Sequence, residues 1–259
     1  MKITFQFAMM LLMLVSSRIS AQEADTTKVK LEQLRKESGV DPTRVSTRFN
    51  IGQEFLDPKG SGYSYNNTFK LTVGIGNWAF YIKTRARSTY TPGEQNGTFS
   101  SGIDDFTFSA ANTVYYKGKN AINVAVELLA PVGSPAFSSQ SFLMTPNFTY
   151  AYTISPKLIF ALNPQYSFTV AKSDVVPAVS LATIRPFFAG FFPSGVFAVI
   201  EPRVLYNFKA EQLDIIISPI LGKSLGKGWN IVGIVEAPVT NERIETLGMM
   251  YKFGVQKNF

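Results

Sequence analysis

The chain has 259 residues, 25 Lys plus Arg against 18 Asp plus Glu, 14% aromatic residues, and neither cysteine nor histidine. Lacking cysteine, it has no disulfide scaffold, thiolate metal site or lipid-modified N-terminal cysteine; lacking histidine, it has lost the commonest metal ligand and general base, and with them any Ser–His–Asp set. The net charge of +7 is spread without a long Lys/Arg run, so neither a nucleic-acid partner nor an enzyme or cofactor site is expected.

Residues 1–21 read as a cleaved signal peptide: Lys2 starts it, residues 5–15 are apolar, and Ala21 precedes the cut. As a membrane anchor the segment is too short, with about 11 apolar residues where a spanning helix needs roughly 20. No apolar run of that length follows, and Phe and Tyr are abundant. Two classes remain, a soluble secreted β protein and an outer-membrane β-barrel. Residues 22–45 are polar. A short helix is predicted after Asp25 and stopped by Gly39, with a thin apolar face of Val29, Leu31 and Leu34. The segment reads as a periplasmic leader rather than a plug.

From residue 46 to 259 the pattern alternates with period two, the signature of strands with two unlike faces. Phe69, Leu71, Val73 and Ile75 oppose Lys70 and Thr72. Trp78, Phe80 and Ile82 oppose Tyr81, Lys83, Arg85 and Arg87. About twelve strands of roughly 9–11 residues follow, the length of a tilted membrane-crossing strand. They fall near 46–57, 67–75, 78–90, 104–116, 121–130, 141–153, 157–170, 177–191, 196–207, 213–221, 229–237 and 246–257, the eighth fitting either parity. Connections alternate between short ones and longer ones rich in Ser, Gly and Asn, although 222–228 is long for a short turn. The expected fold is all-β: a closed antiparallel up-and-down barrel, both ends periplasmic, in the bacterial outer membrane. Trp78 and Trp229 open strands where an interfacial aromatic girdle belongs. The terminal Phe259 resembles a barrel-insertion signal, with Lys257 where an apolar residue is usual.

Parity puts Pro146, Pro164, Pro202 and Pro219 on the lipid side, with Pro186 a candidate fifth. A closed barrel has no free edge, so each proline removes a ladder bond and frees a carbonyl. Relief is expected from a bulge or bend, with polar inward side chains or lumen water taking the carbonyl. Inward charges include Arg48, Glu54, Lys70, Asp105, Asp214 and Lys252. The lumen or pore-lining candidates are Lys83, Arg85, Arg87, Glu127, Asn147, Asn163, Gln165, Arg185, Glu201, Arg203 and Glu236. In a twelve-strand ring the third and ninth strands lie opposite, so a path would run between the Lys83–Arg85–Arg87 stripe and the residues beside the prolines. The alternative for the stripe is pairing with Asp105 or Glu54.

Two glycine motifs fail. VGIGNW lacks a third glycine and a following helix, and GKSLGKG has the wrong spacing and ends in Gly228 where a phosphate loop needs Ser or Thr. From Gly102, GIDDFTFSAANTVYYKGKNAINVAVELLAPVGSP resembles the outer-membrane family named for the meta-pathway of phenol degradation. Its members open a strand with Gly-x-Gly-Asp and end an apolar strand in Pro-x-Gly. Gly102, Asp105, Pro131 and Gly133 fit, Asp104 replaces the second glycine, and Lys117 stands after Tyr115 and Tyr116. The resemblance implies a barrel that helps small, often apolar molecules across the outer membrane. The function expected is therefore a passive channel or transporter, with outer-membrane lipids and a small solute as partners. The alternative is a structural or interaction barrel with a side-chain-filled lumen.

Overall fold

The structure is a computed structural model that describes residues 24–41, 43–58, 62–93, 97–134, 136–240 and 248–259. The signal-peptide assignment lies outside these. One helix, α1 (Ala24–Ser38), precedes the strands β1 (Arg48–Pro58), β2 (Tyr63–Ile75), β3 (Trp78–Thr91), β4 (Thr98–Ile103), β5 (Phe106–Lys117), β6 (Asn120–Ala130) and β7 (Ser141–Ser155). They continue with β8 (Leu158–Lys172), β9 (Ser180–Phe191), β10 (Val196–Asn207), β11 (Gln212–Gly226), β12 (Trp229–Pro238) and β13 (Gly248–Asn258).

Successive strands pair antiparallel, and β1 closes the ring by pairing with both β2 and β13. The lower half of β3 pairs with β5 and its upper half with β4, so β4 and β5 form one stave broken at Asp104–Asp105. The barrel thus has twelve staves built from thirteen strands among the described residues. The fourth strand was expected to begin at 104. TFSSGI, polar and glycine-containing, reads as loop, yet it extends the stave beyond the break. The connection expected over 222–228 is also mostly strand: β11 bulges between Ser224 and Gly226, leaving Lys227 and Gly228 as the turn.

Outward residues are apolar and exposed, among them Phe49, Ile51, Phe69, Leu71, Phe80, Ile82 and Phe253. A soluble sandwich would bury such a belt; a barrel turns it to lipid. Trp78 and Trp229 are exposed at the short-turn end. Lys257 accommodates its apolar position by reaching its Nζ to the Lys227 carbonyl at 2.5 Å, 5.2 Å from the Trp229 ring centre.

The proline belt opens three alternate seams. β7 and β8 pair at Met144↔Phe168, then Asn147↔Gln165, then Tyr150↔Leu162, all in one register. The intervening pairs are those whose bonds need an N–H from Pro146 or Pro164. Pro186 and Pro202 face each other across β9–β10, which pairs at Ile200↔Phe188 and next at Val204↔Ile184. Pro219 does the same to β11–β12 between Ile217↔Ala237 and Ile220↔Ile234. The seams between them, β8–β9 and β10–β11, pair without interruption. The expected bulges are not at the prolines. They lie toward the strand ends, at Thr113/Tyr115, Phe142/Leu143, Thr153/Ser155 and Ser224/Gly226. The expected side-chain relief does occur. Pro164 leaves the Phe148 carbonyl without a ladder donor, and Asn163 Nδ2 donates to it at 3.0 Å.

The segment read as a leader lies inside the ring, at the short-turn end. Leu31 and Leu34 of α1 are 2% and 6% exposed, packed among inward Ala151, Ile159, Ala161, Ala189, Phe191, Phe197 and Val199. Burying each leucine contributes about 1.5–3 kcal/mol. Its thin apolar face suffices because the inner wall here is apolar and would otherwise meet water. Gly39, at φ 68°, ends the helix in a left-handed cap. The Glu37 carbonyl accepts from Asn230 Nδ2 and Gln256 Nε2, both at 2.8 Å, and from Asn258 Nδ2. Buried Arg35 bonds Asp41 at 2.8 Å and Thr153 Oγ1 at 3.1 Å.

Candidate functional site

Above the helix the ring encloses a cavity of about 630 Å³. Lys83, Arg85, Glu127, Asn147, Asn163, Gln165, Arg185 and Glu201 all line it, together with Ser38 to Asp41 and Arg44 from the plug segment. Arg87 lines a second cavity of about 400 Å³ under the β6–β7 loop. Arg203 and Glu236 face inward but serve as links in the wall.

Those links form one alternating chain of charge. Arg87 meets Asp104 at 2.6 Å, and Asp104 lies 3.9 Å from Arg85. Arg85 lies 3.8 Å from Glu54, which is 3.7 Å from Lys252. Lys252 meets Glu236 at 2.9 Å, and Glu236 meets Arg203 at 2.5 Å. Arg203 lies 3.9 Å from Glu201, which holds Arg185 at 2.7 Å. The chain joins β3 to β9 by way of β1, β13, β12 and β10. It brings together the basic stripe and the belt residues that parity set on opposite walls. Alternation of sign lets each charge meet an opposite one, which offsets the cost of holding charges away from bulk water.

Asp105 does not neutralise the stripe; Asp104 does, with Glu54. The stave breaks between the two aspartates, so strand parity fails there. Asp105, 5% exposed, accepts from the backbone N–H of Gly133 at 3.2 Å and of Ser139 at 2.7 Å, anchoring the β6–β7 loop. In the same loop Phe137 is buried against Gly102, where a Cβ would approach its ring to 2.6 Å. Thus Gly102, Asp105 and Gly133, picked out as a sequence pattern, meet at one loop anchor. Around the Pro164 gap, Asn163 Nδ2 also donates to Thr149 Oγ1 at 2.8 Å, and Gln165 Nε2 donates to Asn163 Oδ1 at 2.5 Å.

Sequence reasoning missed three features. Lys70, on the inward face, stands directly opposite Lys83. Tyr81 lies under the Lys70 ammonium, 3.7 Å from its ring centre. The plug residues Arg35 and Asp41 enter the lumen. Parity gave the facing of Lys70; the register of β2 against β3, fixed by the Gly76–Asn77 turn, was the signal for the pair.

No protein-family model matches the chain, and no curated protein matches its sequence. Solved structures do. The NanC porin superposes with a TM-score of 0.59 at 11% identity, over 83% of this chain and 100% of that one. The KdgM porin gives 0.59 at 13% identity, over 82% and 99%. The fold is that of the outer-membrane porins. The translocator domain of the autotransporter NalP from Neisseria meningitidis matches at 0.52 and 9% identity, over 92% of this chain and 95% of that one. At such identities the likeness carries the fold alone; solute and mechanism have to come from this chain's own lumen.

Proposed function

We propose that this protein is a passive outer-membrane channel for small solutes, exported by the signal peptide at residues 1–21. The observation that carries the reading is the 630 Å³ lumen cavity, lined from nearly every stave by polar and charged side chains. A barrel built only as a strut fills its bore with interlocking side chains. The porin-like ring adds support, one of the matched structures being described as the KdgM porin in complex with disordered oligogalacturonate. The meeting of Gly102, Asp105 and Gly133 at one anchor supports the resemblance to the meta-pathway phenol degradation family. The charged lining favours polar solutes over the apolar ones that this resemblance implies.

One observation favours the second reading, a barrel without transport: α1 occupies the short-turn end. In the channel reading α1 is a removable or partial plug that narrows the exit. Liposome swelling with neutral sugars of graded size separates the two. The channel admits the smaller sugars and excludes the larger, faster when residues 22–41 are deleted. A filled barrel gives no swelling with any sugar, with or without the deletion.

A further inference from the structure

The lumen's charges are met on one side and not on the other. From Arg87 round to Arg185 every cation has a carboxylate within 4.0 Å. On β2 and β3, Lys70 and Lys83 stand directly opposite each other, both lining the cavity. Like charges facing across a strand pair repel. Among the described residues neither lysine is in an ion pair; Lys70 has the Tyr81 ring as its cation–π partner. Arg48, one strand away, lies against Gly39 at the end of α1 and so faces the negative end of the helix. Glu127 on β6 lines the same cavity and accepts a hydrogen bond from the Tyr81 hydroxyl, and among the described residues it is the one acid within electrostatic reach of both lysines. Arg185 across the lumen is taken by Glu201. Arg48, Lys70 and Lys83 thus outweigh Glu127 in an enclosed space where charge must be matched by counter-charge or water.

Room for more than an inorganic ion adjoins this pair. Ala79, Ala111 and Ala125 lie side by side across β3, β5 and β6, all lining the cavity, and Ala125 pairs onward with Asn147, then Gln165. This row of small side chains leaves a shelf beside Tyr81 that ends in two amides. We propose that Lys70 and Lys83 form a binding site for the carboxylate of a small organic acid, its body lying over the alanine shelf toward Asn147 and Gln165. The site rests on the channel reading and sharpens it: the solute is an organic anion, and the channel is anion-selective.

The test uses the full-length protein with galacturonate as probe and galactose as its neutral match. In planar bilayers the reversal potential in a KCl gradient reports anion preference, and galacturonate blocks the KCl current at least tenfold more effectively than galactose. In detergent, galacturonate raises the unfolding temperature and galactose does not, a readout that needs no conduction. K70Q/K83Q abolishes both effects, and K70R/K83R keeps them. If nothing conducts yet galacturonate still stabilises the parent and not K70Q/K83Q, the channel reading fails and the site stands. If the parent conducts without anion preference and galacturonate leaves its unfolding unchanged, the site is overturned and the channel survives. If K70Q/K83Q responds to galacturonate like the parent, the acid binds elsewhere and the proposal falls.

Discussion

Asn163 substitutes for the N–H that Pro164 lacks, and this can be measured as a coupling energy. Asn163→Ala removes the donor to the Phe148 carbonyl and the bond to Thr149 Oγ1, at 3.0 and 2.8 Å, from a side chain that is 8% exposed. A hydrogen bond contributes about 1 kcal/mol net, but stranding a buried acceptor costs about 1–3 kcal/mol. The single variant should therefore lose roughly 2–3 kcal/mol. Pro164→Ala restores a ladder donor aimed at the same carbonyl, because β8 already holds the register on both sides of the gap. In that background Asn163→Ala should cost only about 1 kcal/mol, a coupling of roughly 1–2 kcal/mol in the double-mutant cycle. Urea unfolding in lipid vesicles, followed by tryptophan fluorescence, gives all four free energies. Equal cost of Asn163→Ala in the two backgrounds would refute the assignment of the amide as a replacement ladder donor.

Arg203→Ala takes the Arg203 link out of the alternating chain but leaves Glu236 with Lys252 and Glu201 with Arg185, so a loss of about 1.5–3 kcal/mol, that of a charged hydrogen bond, is expected, read by the same unfolding assay, and an unchanged midpoint would contradict the network. Asp105→Asn should weaken the anchor of the β6–β7 loop without unfolding the ring. Limited proteolysis is expected to cut within residues 131–140 several-fold faster than in the parent, while heat-modified gel mobility stays the same.

The ring was legible because lipid and lumen impose opposite demands on alternate residues, and runs such as 69–75 and 251–255 satisfy them without exception. Turn sites followed from the same logic. Parity also gave the inward residues, but not which of them meet. Arg85 and Arg203 are joined through Glu54, Lys252 and Glu236, a route set by strand register, to which the two-residue period is blind. It failed outright at Asp104–Asp105, where the stave breaks. The prolines revealed that ladder bonds are missing, and which seam each one opens depends on the direction of its missing N–H. The plug was hidden for a different reason. Leu31 and Leu34 make a weak helix face, and their partners, Ala151 to Val199, read simply as inward strand residues until the ring closes around them. Asn230, Gln256 and Asn258, which converge on the Glu37 carbonyl, are likewise ordinary polar inward positions in sequence.

The central claim is that the ring encloses a solute path narrowed by α1. Single-channel recording in planar bilayers tests it most directly, comparing the parent with a variant in which the leucine contacts are broken, L31D/L34D. Discrete conductance steps are expected in the parent and larger or longer openings in the variant, with the barrel's gel mobility unchanged in both. A folded parent and a folded variant that are both electrically silent would contradict it.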